Sequence, residues 1–127
     1  MFLNVIRSLR IFPALRDAVK RGASFLDNRR TEELIGCILT ALHGKVCRII
    51  QYGSSSAHSE AEFAVLTPYK ISTDEVTRLS DAVTEFNRKH EKSISVVDID
   101  LDSFLKWKES TPFYQAIDRT GVVLWSE

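Results

Sequence analysis

The stretch that most constrains this chain runs from Val46 to Leu66. It opens with a β-branched run, Val46-Cys47-Arg48-Ile49-Ile50, passes through Tyr52-Gly53-Ser54 and a short polar loop, and closes with Phe63-Ala64-Val65-Leu66. Apolar runs of this length, separated by turn residues, read as buried neighbouring strands over 46–52 and 61–67, with Pro68 closing the second. Glu60 and Glu62 stand two residues apart. Successive strand side chains alternate between faces, so a strand at this point turns both carboxylates the same way. A Gly-Ser turn facing two such acids can hold a phosphate through Gly53, Ser54 and Ser55 and a divalent metal through Glu60 and Glu62.

The flanking chain reads as alternating helix and strand. Thr31 caps a helix over 31–43 that carries Leu34, Ile35, Ile38, Leu39 and Leu42, and Gly44 ends it. Ser72 and Glu75 form a capping box for a helix over 73–90, with Val76, Leu79, Val83 and Phe86 on one face. A third strand runs over 94–99, with Asp98, Asp100 and Asp102 at its exit. Leu101, Phe104, Leu105 and Trp107 predict a short helix. Thr111-Pro112 starts another, with Thr111 as cap, and Gly121 stops it before a last short strand over 122–125. The expected fold class is α/β (α+β). A small mixed sheet holds strands 46–52, 61–67 and 94–99, and the helices 31–43 and 73–90 pack on one face.

At 127 residues the chain is a single domain, 1–127, with an N-terminal segment, 1–30, and a core, 31–127. The N-terminal segment spaces Val5, Leu9, Phe12, Leu15, Val19, Ala23 and Leu26 at helical intervals, with Pro13 opening or kinking a turn. Its other face is basic. Residues 1–30 carry seven basic and two acidic side chains, a net of +5, against −5 for the remainder. The stripe is long for so small a domain, which predicts a homodimer or partner interface through this helix. Zero net charge gives no global attraction to nucleic acid. No apolar run approaches the ~20 residues of a membrane span. Cys37 and Cys47 have no metal or redox spacing and read as buried reduced thiols of a cytoplasmic protein.

Gly53-Ser54, then Ser59-Glu60-Ala61-Glu62 on the next strand, resembles the signature of the nucleotidyltransferase superfamily, the polymerase-β-like fold. The tail, Ser95-Val96-Val97-Asp98-Ile99, Pro112 to Ile117 and Thr120-Gly121-Val122-Val123-Leu124-Trp125, is similar to the ending of small bacterial members, so the resemblance covers roughly 31–125. It implies transfer of a nucleotidyl group from ATP to a hydroxyl of a protein or small molecule. Two acids on one strand and a third on a neighbour would hold Mg²⁺. It also implies a helical protein partner, as in toxin–antitoxin modules.

The chain departs from that pattern in four places. Both acids are glutamates, whose extra methylene adds rotamer freedom. The loop from Gly53 to Glu60 is shorter than the family's. It holds Ser55, Ala57 and His58 where the family often has Arg and Gly. The third acid depends on strand register: one alignment puts Ser95 at the metal position, while a shifted one offers Asp98 or Asp100. The expectation is a nucleotidyltransferase-fold binding or regulatory protein with a degraded metal and phosphate site. The alternative is a live Mg²⁺-dependent enzyme, with Glu60, Glu62 and Asp98 as catalytic residues and Asp100 as a further ligand. No Arg or Lys stands between Gly53 and Thr67 to meet a triphosphate. ATP–Mg²⁺ binding is therefore expected to be weak or absent, no more favourable than about −4 kcal/mol. His43 and His90 read as helix-end residues and His58 as a solvent-facing loop residue. Trp107 and Trp125 read as core or interface.

Overall fold

The computed structural model describes residues 26–52 and 61–127. The elements are α1 (Asn28–Ala41), β1 (Arg48–Tyr52), β2 (Ala61–Thr67), α2 (Thr73–His90), β3 (Ile94–Asp100), α3 (Leu101–Trp107), α4 (Pro112–Thr120) and β4 (Val122–Ser126). The strands form one mixed sheet in the order β3-β2-β1-β4. β1 lies antiparallel to both β2 and β4, and β2 pairs parallel with β3. The parallel pair is joined through α2, the crossover that such a pair requires.

α1 begins a turn earlier than the sequence predicts. Asp27, not Thr31, is its cap: the Asp27 carboxylate accepts from the Arg30 N–H at 2.8 Å. Thr31 is inside the helix and 1% exposed. Residues 28–30, placed above in the N-terminal segment, thus belong to α1; Leu26, the last residue of that segment's helical stripe, is buried but lies in a bend outside any helix, and the rest of the stripe lies outside the described residues. The C-terminus closes with paired bonds, Gly44 N–H to Leu39 O at 2.8 Å and His43 N–H to Thr40 O at 3.2 Å. His43 and Gly44 take positive φ there, 54° and 77°. α2 opens on the predicted capping box, with Ser72 and Glu75 each bonding the other's backbone N–H. Pro112 takes the first turn of α4, but Thr111 makes no side-chain cap bond. β1 starts two residues later than predicted, at Arg48, although the Cys47 N–H still donates to Leu66 O at 2.7 Å.

Alternation along the strands splits the core in two. Ile49, Phe63, Val65 and Ile94 face α1 and α2, meeting Leu34, Ile38, Leu79 and Phe86. Ile50, Ala64, Leu66 and Ile99 face the other way and meet Phe104 of α3 and Ile117 of α4. The second sheet face is therefore also covered, over part of its width, by the two short helices. An irregularity in β4 explains one break in alternation. Ile49 pairs with Trp125 while Ile50 pairs with Val123, so Leu124 and Trp125 both join the α1–α2 side. Trp125 is thus core, at 8% exposure, whereas Trp107 lies on the surface with the Lys106 ammonium 5.0 Å from its ring centre.

Candidate functional site

Glu62 sits near the start of β2, opposite Tyr52 of β1 and opposite Ser95 of β3. Paired residues in a sheet point to one face, so Glu62, Tyr52 and Ser95 share a side. It is the face of Ala64, Leu66, Val97 and Ile99, the one α3 and α4 cover further along. Glu62 is half-buried and Ser95 exposed. From α4, the Phe113 ring meets Tyr52 edge-on at 5.7 Å between centres. Burial, then the Glu62 charge, push the Tyr52 phenol above its usual range, an electrostatic sign that the two side chains are close. Tyr52 was missed in the sequence. Its place just before Gly53 was visible, but only the strand pairing puts it on the Glu62 face.

The two aspartates read as third ligands do not join this group. Asp98 is opposite Val65, whose side chain packs toward α1 and α2, so Asp98 projects from the face opposite to Glu62. The cause is register: Ala61 pairs with Ile94, which places Ser95, not Asp98, beside Glu62. Asp100 lies at the far end of β3, opposite Thr67, and caps α3 by accepting the Ser103 N–H at 3.0 Å. Those bonds hold the Asp100 carboxyl below the usual carboxylate range. Asp102 is in the first turn of α3, where an acid complements the helix dipole. Gly53, Ser54, Ser55, His58 and Glu60 lie outside the described residues.

Mg²⁺ favours an octahedron of hard oxygens with carboxylate charge. The described part of this site offers one carboxylate, Glu62, beside a serine hydroxyl and a phenol whose proton is held more tightly than usual. Among the described residues no three His, Cys, Asp or Glu side chains cluster to hold a metal ion. Among the described residues the donor set does not fill a two-ion site.

The remaining sequence candidates have other roles. His90 does not merely end α2. It bridges to α1, with Nε2 2.6 Å from a Glu33 carboxylate oxygen and Nδ1 accepting from Arg30 Nε at 3.4 Å. Cys37 and Cys47 are free and half-buried, and burial raises both thiol pKa values. No helix among the described residues is long and apolar enough to cross a membrane.

No protein-family model matches the sequence, and none of the curated proteins resembles it in sequence. Solved structures do resemble it. One is a tri-AMPylated Shewanella oneidensis HEPN toxin in complex with MNT antitoxin, at 15% identity and a TM-score of 0.53, over 80% of this chain and 74% of that one. A second is a mutant of the toxin–antitoxin pair MntA-HpeT, in which two aspartates two residues apart are replaced by glutamates. It matches at 18% identity and TM-score 0.52, over 80% and 75% of the two chains. A third is a toxin–antitoxin with AMP-PNP, at 16% identity and TM-score 0.51, over 80% and 75%. The chain has the minimal nucleotidyltransferase fold that its strand–turn–strand pattern predicts.

Proposed function

We propose that this chain is a binding or regulatory protein on a nucleotidyltransferase scaffold whose metal and phosphate site is degraded. One observation carries the reading: Glu62 has Ser95, not an acid, as its partner on β3, and Asp98 faces away. The Glu60 and Glu62 pair can recruit a cation weakly, but holding the Mg²⁺ ions that would neutralise a triphosphate takes a third carboxylate, and the stretch from Gly53 to Thr67 has no Arg or Lys to substitute. Its partner would be a protein, met by the basic face of residues 1–30, with residues 31–127 as the scaffold, in the cytoplasm. The similar structures support a partner, since they are toxin–antitoxin complexes.

A second reading has its own support. One similar structure carries an AMPylated toxin and another holds AMP-PNP. On this reading Glu60 and Glu62 hold Mg²⁺, Gly53, Ser54 and Ser55 seat the phosphates, and a nucleotidyl group passes from ATP to a hydroxyl of the partner. The similar pair with glutamates in place of two aspartates has the acid type and spacing of Glu60 and Glu62. Calorimetry with ATP and Mg²⁺ decides between the readings. The degraded site predicts a Kd weaker than about 1 mM, equivalent to about −4 kcal/mol. A low-micromolar Kd, abolished by Glu60→Gln with Glu62→Gln, would establish the enzyme instead.

A further inference from the structure

Among the described strands β3 is outermost, with β2 on its inner side. A strand residue points its N–H and C=O to the same side, and successive residues alternate. Two contacts fix which backbone groups of β3 point outward. The Asn87 side-chain amide takes both groups of Ile94: Oδ1 accepts from the Ile94 N–H and Nδ2 donates to the Ile94 carbonyl, each at 3.1 Å. At the other end the Ile99 carbonyl lies toward β2, where the Thr67 hydroxyl donates to it at 3.5 Å. Ser95, Val97 and Ile99 therefore turn their backbone groups to β2, while Ile94, Val96 and Asp98 turn theirs outward. Asn87 occupies the first outward position, and Asp100 leads the chain into α3 beyond the last. Between these stops, the outward N–H and C=O of Val96 and Asp98 meet no hydrogen-bond partner among the described residues. Those four groups are a short template for another strand.

We propose that this edge pairs with the same edge of a second copy, antiparallel about a two-fold axis at Val97. Self-complementarity is the first argument. In this register Val96 stands opposite Asp98 of the second copy, and Asp98 opposite Val96 of the second copy, so all four free groups of each chain bond at once. A slip of one residue sets outward groups against inward ones. A slip of two sets Asp98 against Ile94, which Asn87 has closed, or Val96 against Asp100, where the strand ends. The fit of the ends is the second argument. The same register puts Ile94 opposite Asp100 of the second copy, so Asn87 blocks the edge where the incoming strand leaves the sheet for its own α3. An extended segment of another protein has no reason to end there, whereas this chain's own strand does. The third argument is apolar. Val97 is half-exposed and would meet its counterpart across the axis as a non-hydrogen-bonded pair, the closer kind, with Cα atoms about 4.5 Å apart. The two Asp98 side chains become diagonal neighbours about 7–8 Å apart, where repulsion in water is weak.

Sedimentation of the full chain should show a monomer–dimer equilibrium that Val96→Pro weakens at least tenfold. Proline removes an outward N–H that the β2–β3 ladder does not use, so the monomer should keep its fold. A parent that is monomeric at every concentration overturns the proposal, as does a folded Val96→Pro variant that dimerises like the parent. If that variant fails to fold, cross-linking decides. In the full chain with Cys37→Ser and Cys47→Ser, Val97→Cys would stand within disulfide reach of its counterpart and should give a covalent dimer on oxidation. Val96→Cys, about 8 Å or more from its own counterpart in this register, should not. No covalent dimer from Val97→Cys, or as much from Val96→Cys, refutes the pairing.

Discussion

Ser95→Asp should turn the missing acid of the site into a measurable charge. Ser95 and Glu62 are partners on adjacent strands, which lie about 4.8 Å apart, so the new carboxylate would stand about 5 Å from that of Glu62. Two like charges at 5 Å repel by about 0.8 kcal/mol at the dielectric of water and about 3 kcal/mol at an effective value of 20. Glu62 is half-buried and Ser95 exposed on the outermost strand, which favours the lower end, about 1 kcal/mol. Urea unfolding at neutral pH in the presence of a chelator should show that loss. Millimolar Mg²⁺ should restore it, because a dication between two carboxylates replaces repulsion with attraction. Ser95→Asn, similar in size but neutral, should show neither the loss nor the response to Mg²⁺. The reasoning fails if Ser95→Asp is as stable in chelator as Ser95→Asn. It fails equally if adding Asp98→Asn to Ser95→Asp removes the Mg²⁺ response, since Asp98 would then share the face of Glu62.

Three further perturbations test the scaffold. Gly121→Ala should cost about 2–3 kcal/mol in the urea midpoint, because a Cβ there would stand 2.2 Å from the Ile117 carbonyl oxygen and 2.4 Å from Ile50 Cγ2. Ser72→Ala removes the oxygen that accepts the Glu75 N–H and should cost about 1 kcal/mol, with amide exchange quickening in the first turn of α2. The Glu33 carboxyl is held below its usual range, first by His90 and then, against some desolvation, by Lys89. Its contribution is therefore present above the unfolded value of 4.5 and is lost as pH falls through the lower folded value. Glu33→Gln should thus cost less than about 1 kcal/mol at neutral pH, after allowing for solvent screening, and the gap between the two proteins should close in acid.

The sequence was most legible where local chemistry decides the outcome. β2 runs over 61–67 as read, because an apolar run ends at Pro68, and α2 runs over 73–90 because Ser72 and Glu75 form a reciprocal cap. α1 was misjudged by a turn because Asp27 and Thr31 can both cap, and only the tertiary setting buries Thr31. The register of β3 was not legible from alternation, although the family alignment already offered Ser95 as one of two neighbours for the metal position. Ile94 and Val96 offer an apolar face in one phase, and Val97 and Ile99 offer one in the other. Either phase buries hydrophobic surface, so alternation cannot choose between Ser95 and Asp98 as the neighbour of Glu62. The pairing of Ala61 with Ile94 makes the choice, and with it the chemistry of the site.

That choice exposes a conflict at position 95. An acid beside Glu62 costs about 1 kcal/mol by repulsion whenever no cation lies between them, and serine removes the cost. A cost of that size leaves the fold itself in place, since the larger core cluster lies on the opposite face, between the sheet and α1 and α2. The fold can thus stand intact while position 95 changes between acid and serine. On the proposed reading, strong metal binding at this site requires the acid, and stability without metal favours the serine. With Ser95 in place and Asp98 turned toward the helices, the proposed reading puts this chain on the side of stability without metal.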